Sequence, residues 1–475
     1  MANDHRTERD FLGEKQIPAD AYWGVHTARA VENFPISGTQ LSAMPELIRA
    51  FGFVKKATAR TNLHLGVLDD TRAFAIMGAC EKLIDGRHHD QFVVDVIQGG
   101  AGTSTNMNAN EVIANLALER MGFEKGRYDV LHPNDHVNAS QSTNDVYPTA
   151  VRLALWFGID RLLDAMAFLR TGFELKAEEF KDVLKIGRTQ LQDAVPMTLG
   201  QEFSTYAVMM GEDEQRLREA RALIQEINLG ATAIGTGINS PAGYAELACR
   251  TLAEVSGVPV IKAPNLVEAT QDTGAFVQLS GVLKRVATKL SKTCNDLRLL
   301  SSGPQAGFGD IKLPPRQAGS SIMPGKVNPV IPEVMNQVAF EVIGNDMTVT
   351  MASEAGQLQL NAFEPIMGWS LHKSIQHLAN ACLTLRTHCV DGIEANHELL
   401  ARRVRESVTL VTALNPIIGY EKAALIAKTA IASGASIVDV AETLGIMTRE
   451  QMEALLVPEM LTQPLRLEVD GGGAA

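Results

Sequence analysis

Aromatic residues are scarce, at 5% of 475 residues. Strands favour aromatic and β-branched residues, so this shortage argues against a β-sandwich. Cysteine is sparse too. The five cysteines, Cys80, Cys249, Cys294, Cys382 and Cys389, are odd in number, and no pair has C-x-x-C spacing. That pattern argues against a disulfide framework or a structural zinc site and predicts a reduced, cytoplasmic protein. No long basic run occurs, and the net charge of -12 is spread along the chain. Nucleic acid and anionic membrane are therefore not expected partners. No apolar stretch approaches the roughly 20 residues of a membrane span. The N-terminus, "MANDHRTERDFLGEKQIP", has no apolar core of a secretory signal.

What is present favours helices. Apolar residues make up 45% of the chain, with Ala, Leu, Val and Met plentiful. The length suits about three domains or one elongated one. Leu155, Ile159, Leu162, Met166, Leu169 and Phe173 are spaced 4-3-4-3-4. Leu279, Leu283, Val286, Leu290, Thr293 and Leu297 repeat that spacing, as do Leu371, Ile375, Leu378, Cys382, Leu385 and Cys389. A rougher stripe runs through Phe203, Ala207, Met210, Leu217 and Ile224. Such seams predict long helices packed at small crossing angles. They can serve a core within one chain or an interface between subunits. Leu153, Trp156 and Leu163 are apolar outside their stripe. One thin bundle has difficulty hiding them all, so an oligomer is expected.

Between these helices lie polar, glycine-containing stretches: "GGAGTSTNMNANE" (99–111), "HPNDHVNASQSTNDVYPT" (132–149), "GRTQLQDAVP" (187–196) and a non-periodic run at 301–329. The last ends in "GSSIMPGKVNP" (319–329). Its Gly-Lys pair is not a Walker A loop, because the glycine spacing is wrong and Val327 follows Lys326 where a hydroxyl is needed. Ser, Thr and Asn are most often caps and turns. Four such stretches in one chain instead suit a small, oxygen-rich anion, since carboxylates accept several short hydrogen bonds from neutral donors. His132 and His136 are four apart, but Pro133 favours a turn there over a metal-binding helix face. Cys382 and Cys389 lie on an apolar stripe and are expected in the core.

"GSSIMPGKVNP" resembles the signature of the fumarase/aspartase superfamily. "GTSTNMNANE", "STNDVYPT" and "GRTQLQDAVP" resemble its other active-site segments, in the same order. The likeness runs from "PADAYWGVHTARAVENF" (18–34) to "VTALNPIIGYEKAALIAK" (411–428). The resemblance implies an all-α fold with a central bundle of long helices and smaller, mainly helical end domains. We place the boundaries at 1–140, 141–398 and 399–475. It also implies a homotetramer with a twenty-helix core and active sites shared among three subunits.

Members eliminate a group from a succinyl-type substrate to give fumarate or a relative. "EINLGATAIGTGIN" and "EAGQLQLNAFEPIM" look more like the ammonia-releasing branch than the hydratases. Many members carry histidine where this chain has Gln190. Neutral ammonia leaves without an acid, whereas hydroxide benefits from one, so glutamine fits ammonia release better. Ammonia elimination from L-aspartate is thus expected, with fumarate hydratase and a non-catalytic structural relative as alternatives. By resemblance Ser320 is the base. Thr103, Ser142, Thr143 and Ser321 surround the β-carboxylate, Thr189, Lys326 and Asn328 hold the α-carboxylate, and Asn144 with Gln190 receives the ammonium. No organic cofactor or metal ligand is implied. Activation by a divalent cation is known in the family, with no site assignable here. "HPND" (132–135) resembles a second anion site.

Overall fold

The computed structural model describes residues 4–455 and 457–463. The terminal "DGGGAA", expected to be frayed, lies outside the described residues. An antiparallel hairpin opens the chain, β1 (His5–Asp10) with β2 (Gly13–Pro18). The principal helices then follow: α1 (Pro45–His64), α2 (Asp70–Ile84), α3 (Thr103–Arg120) and α4 (Thr143–Glu179). A second antiparallel hairpin, β3 (Leu184–Thr189) with β4 (Gln192–Thr198), leads into α5 (Leu199–Leu223). Next come α6 (Gly274–Leu300), α7 (Val330–Glu354) and α8 (Glu364–His388). Shorter helices α9 (His397–Glu406), α10 (Val411–Ile418), α11 (Tyr420–Ser433) and α12 (Ile437–Thr443) close the chain. No single helix among the described residues is long and apolar enough to cross a membrane.

The 4-3-4-3-4 seams are buried as predicted. Every residue of the stripes in α4, α6 and α8 is buried, including Thr293 and Cys382. Cys389, the last of its stripe, is buried just beyond the end of α8. The helices carrying these seams span 37, 27 and 25 residues, and α5 spans 25. These are two to three times the common helix length of about 11–12 residues. The four long seams bury apolar side chains along one stripe, which stabilises helices that propensity alone would leave marginal.

The chain divides into two compact units. One holds residues up to Asp164, Asp213–Thr288 and Val338–Ala379. The other holds Ala165–Glu212, Lys289–Gln337 and the chain from Asn380 on. In the second unit a small core of Val404, Leu410, Leu414, Ile426, Ile437, Val440 and Met452 packs the terminal helices together.

One expectation needs correction. The stretch 99–111 is not a linker, because α3 begins inside it at Thr103. Its polar residues are buried rather than solvated. Glu111 is fully buried and accepts from the backbone N–H groups of Gly24 (2.8 Å), His26 (2.8 Å) and Thr27 (3.1 Å) and from Thr27 Oγ1 (2.7 Å). Asn108 donates to Gln91 O at 3.0 Å. The helix therefore buries its polar side chains against loop backbone, and hydrophobic periodicity misses it.

The first unit contains buried carboxyls with raised pKa values. Burial pushes Glu364 up to about 8 from an ordinary 4.5, against a weaker downward pull from Arg152. Between those two values the folded chain keeps a proton that the unfolded chain releases. Raising the pH through that window therefore costs stability. Glu364→Gln removes the ionisation while keeping the shape. It should raise the melting temperature by a few degrees at pH 9 and by little at pH 5. Melting curves of both proteins at the two pH values check this, and an equal shift at both would refute it.

Candidate active site

In the first unit, Thr103 stands at the first position of α3. The preceding Gly100, Ala101 and Gly102 all have positive φ, at 90°, 55° and 89°. Gly102 is required: a Cβ there would lie 2.4 Å from the Tyr147 ring. Thr103 Oγ1 donates to Gly100 O at 2.8 Å. Ser142 caps α4. Its Oγ accepts from Asn144 N at 3.3 Å, and its N–H donates to Asp145 Oδ1 at 2.9 Å. Thr143 Oγ1 accepts from Asn106 Nδ2 at 3.1 Å, which ties the start of α4 to the first turn of α3. Thus two helix N-termini, both favourable to a carboxylate, are linked through one side chain.

Asn144 reaches the 226–239 segment, donating from Nδ2 to Ala233 O at 2.8 Å. Pro148 lies inside α4 and cannot donate to Asn144 O. Asn228 Nδ2 fills that place at 2.9 Å. Asp145 is fully buried and accepts from Gly230 N and Thr232 N, each at 3.0 Å. Burial raises its carboxyl to about 6 even so.

Sequence reasoning missed Lys55 behind this segment. Its Nζ is buried and donates to Asn138 Oδ1 and Gln141 Oε1, each at 2.9 Å. Asn138 Oδ1 also accepts from Asn106 Nδ2 at 3.1 Å, so Lys55 connects through two amides to Thr143. Desolvation lowers its pKa to about 7, with Asp145 opposing the shift. The signal was available, because Phe51, Val54, Lys55 and Thr58 follow helical spacing and put a lysine on a core face. The histidines at 132 and 136 face the backbone of their own turn. His136 Nδ1 accepts from His132 N at 2.8 Å, and His132 Nδ1 accepts from Asn134 N at 3.1 Å.

In the second unit, Thr189 and Gln190 form the tip of the β3–β4 hairpin. Gln190 and Leu191 have φ of 53° and 62°. A two-residue turn with both residues left-handed normally takes Asn-Gly. With Gln-Leu it is strained by about 1–3 kcal/mol per residue. Thr189 and Gln190 are both exposed.

The 319–329 loop of the same unit is closed at its neck. Gly319 N donates to Lys326 O at 2.7 Å, and Asn328 Nδ2 donates to Gly319 O at 2.9 Å. A Cβ on Gly319 would lie 2.6 Å from Lys326 O, so only glycine fits. Gly325 has φ of 82°, which turns the chain back. Inside the turn, Ser320 Oγ accepts from both Ile322 N and Met323 N at 3.2 Å. Two backbone donors converge on one hydroxyl oxygen, an arrangement that stabilises negative charge there. Ser321 is exposed beside it. A cavity of about 830 Å³ adjoins the loop, and Lys326, Asn328, Lys312, Arg298 and Glu333 are among the residues lining it. The predicted residues thus fall into three groups: Thr103 with 142–144, the hairpin tip, and the 320–328 loop.

Residues 13–344 match the family model described as Lyase, and residues 410–463 match that of the fumarase C C-terminus. The aspartate ammonia-lyase of Helicobacter pylori (strain ATCC 700392 / 26695) is 56% identical, covering 97% of this chain and 98% of its own. That of Pseudomonas aeruginosa is 57% identical, covering 97% of each. A crystal structure of fumarate lyase:delta crystallin from Brucella melitensis bound to cobalt superposes with a TM-score of 0.92 at 56% identity, covering 95% of this chain and 98% of that one. A class II fumarase from Schistosoma mansoni gives 0.89 at 33% identity, covering 96% and 98%. The chain belongs to the fumarase/aspartase superfamily of lyases.

Proposed function

We propose that this chain is a carbon–nitrogen lyase that reversibly converts L-aspartate to fumarate and ammonia, with Ser320 as the base. The observation that carries the base assignment is the pair of backbone N–H groups on Ser320 Oγ. Serine is a weak base unless its alkoxide is stabilised, and these donors stabilise it. The alkoxide takes a proton from C3 of aspartate. The electron pair of that C–H bond moves into the β-carboxylate and forms an aci-carboxylate dianion. That pair then forms the C2–C3 double bond as the C2–N bond breaks and ammonia leaves.

Catalysis requires that the dianion be held more strongly than the substrate. Thr103, Ser142, Thr143 and Ser321 are the donors assigned to the β-carboxylate, at helix N-termini and in the loop. Thr189, Lys326 and Asn328 are assigned to the α-carboxylate, and Lys326 supplies the full charge. Asn328 donates one amide hydrogen to Gly319 O, which leaves it a second for the substrate carboxylate. Asn144 and Gln190 receive the ammonium. The steps above call for no organic cofactor.

Each site draws on three copies of the chain in a homotetramer. An apolar stripe on α7 supports this: Phe340 is 64% exposed, Met347 61% and Met351 64%, with Ile343 between them. The spacing 3-4-4 puts all four on one helix face, and a second copy covers it. A cytoplasmic location fits five buried cysteines, all free thiols.

The test is ultraviolet detection of fumarate from L-aspartate, L-malate and argininosuccinate in parallel. L-aspartate is consumed and the other two essentially are not. Comparable turnover of L-malate would make hydration the better reading, and turnover of none would favour a non-catalytic relative.

A further inference from the structure

In the second unit Asp310 is paired with three cations, and no step of the reaction uses it. Its carboxylate is 0% exposed. Arg188 donates to it twice, from Nη1 to Oδ2 at 2.7 Å and from Nη2 to Oδ1 at 3.2 Å. Arg403 Nη1 donates to Oδ1 at 2.6 Å, and Lys185 Nζ lies 3.2 Å from Oδ2. Burial alone would raise this carboxyl. Its cationic partners hold it below the ordinary carboxylate value, so it stays ionised.

The anchor itself is fixed in the fold. Asp310 O accepts from Asn396 N at 3.0 Å, and Gly309 O accepts from Asn396 Nδ2 at 3.0 Å. A short strand pair, Ile311–Lys312 with Glu394–Ala395, continues from it. The Arg188 guanidinium also lies over the Phe308 ring, 4.3 Å from its centroid. Arg403 Nη1 meanwhile donates to Phe308 O at 2.6 Å. Arg188 is therefore gripped at its edge by a bidentate pair and on its face by an aromatic ring.

Arg188 immediately precedes Thr189 and Gln190. The turn after it, Gln190–Leu191, is left-handed at both residues without Asn or Gly. Such a turn relaxes unless something over-determines it. Lys185, Arg188 and Arg403 face Asp310, Glu202, which pairs with Lys185 at 2.5 Å, and Asp193, which lies opposite Arg188 on the hairpin. Three cations and three anions balance, so the cluster holds the tip by its geometry and not by a net charge.

We propose that Asp310 is a positioning residue for substrate: by gripping Arg188 it holds the Thr189–Gln190 tip in the geometry that receives the α-carboxylate. This rests on the assignment of that tip to substrate binding. Misplacement of a binding group weakens binding more than it slows the bond-breaking step, so the mark of this role lies in KM.

The experiment compares Asp310→Asn, Asp310→Glu, Arg188→Lys and Thr189→Ala as purified full-length assemblies, with kcat and KM for L-aspartate measured on each. Asp310→Asn should raise KM by about tenfold or more while kcat stays within about threefold. Asp310→Glu, which keeps the charge, should recover part of the loss. Arg188→Lys keeps the positive charge but loses the two-bond fork, and should raise KM similarly. A purely structural role would lower the active fraction and leave KM at the wild-type value, and that result in Asp310→Asn overturns the proposal. If Asp310→Asn does not fold, Arg188→Lys decides, and an unchanged KM there overturns it. Thr189→Ala separates the two layers. An unchanged KM in Thr189→Ala removes the substrate role of the tip, and the positioning role with it. A raised KM in Thr189→Ala beside an unchanged one in Asp310→Asn overturns the positioning role alone.

Discussion

Ser320→Ala should give a folded, assembled protein that no longer consumes L-aspartate. The side chain lies in a loop and packs against no core. Its removal frees only the N–H groups of Ile322 and Met323 from their contacts with Oγ. Both residues are exposed, so water replaces the lost acceptor and little stability is lost. The neck of the loop is closed by Gly319, Lys326 and Asn328, none of which contacts the Ser320 hydroxyl. The effect should therefore fall on the chemical step. Loss of a general base typically costs 10²–10⁴-fold or more. That corresponds to about 3–5 kcal/mol of activation free energy. The carboxylate donors remain, so KM should change much less than kcat. The measurement is initial rates of fumarate formation beside a melting curve and a mass determination. A variant that keeps most of its activity would place the base elsewhere. Loss of both activity and fold would move the judgement to Ser320→Thr, which keeps a hydroxyl and should retain part of the rate.

How far the sequence speaks for the structure depends on the distance over which each feature is built. The seams of α4, α6 and α8 are local patterns, and the 4-3-4-3-4 spacing was enough to find them. Thr293 and Cys382 were placed correctly in the seams although neither is a typical core residue. The "GRTQLQDAVP" stretch gave no such pattern, and its hairpin becomes visible only once Thr189 pairs with Gln192 and Arg188 with Asp193. The polar core of the first unit was hidden for another reason. Lys55 meets Asn138 across 83 residues, and Gly24 meets Glu111 across 87. Nothing near Asn106 or Glu111 indicates that they face buried partners instead of water. Asp310 is the extreme case: it sits in a stretch without periodicity and meets Arg188 across 122 residues. The candidate site loops were singled out through family likeness. The convergence of two N–H groups on Ser320 Oγ was foreseeable only as something a glycine-flanked turn permits.

Two inactive variants should restore each other's activity when they share an assembly. In the proposed homotetramer, each site takes Ser142 from one copy of the chain and Ser320 from another. A preparation made only of Ser142→Ala chains then carries a lesion in every site, and so does one made only of Ser320→Ala chains. Neither substitution touches the exposed stripe of α7, so mixed tetramers should form freely. In an equal mixture, half of the chains offering residue 142 carry the intact serine. Independently, half of those offering residue 320 do. About a quarter of the sites are then intact at both positions, and recovery should approach about a quarter of wild-type activity. If one chain supplied both residues to a site, every site would keep one lesion and the mixture would stay as inactive as its parents. Ser142 caps α4 through Asn144 N, so its loss weakens a helix start by about 1 kcal/mol and should leave the fold intact. The experiment is co-refolding at equal concentration, with each variant refolded alone as control and mixed assemblies counted by native mass spectrometry. Activity no higher than the controls, in a sample shown to contain mixed tetramers, would rule out a site shared between subunits. Recovery near a quarter would require such sharing, because neither parent chain contains both serines.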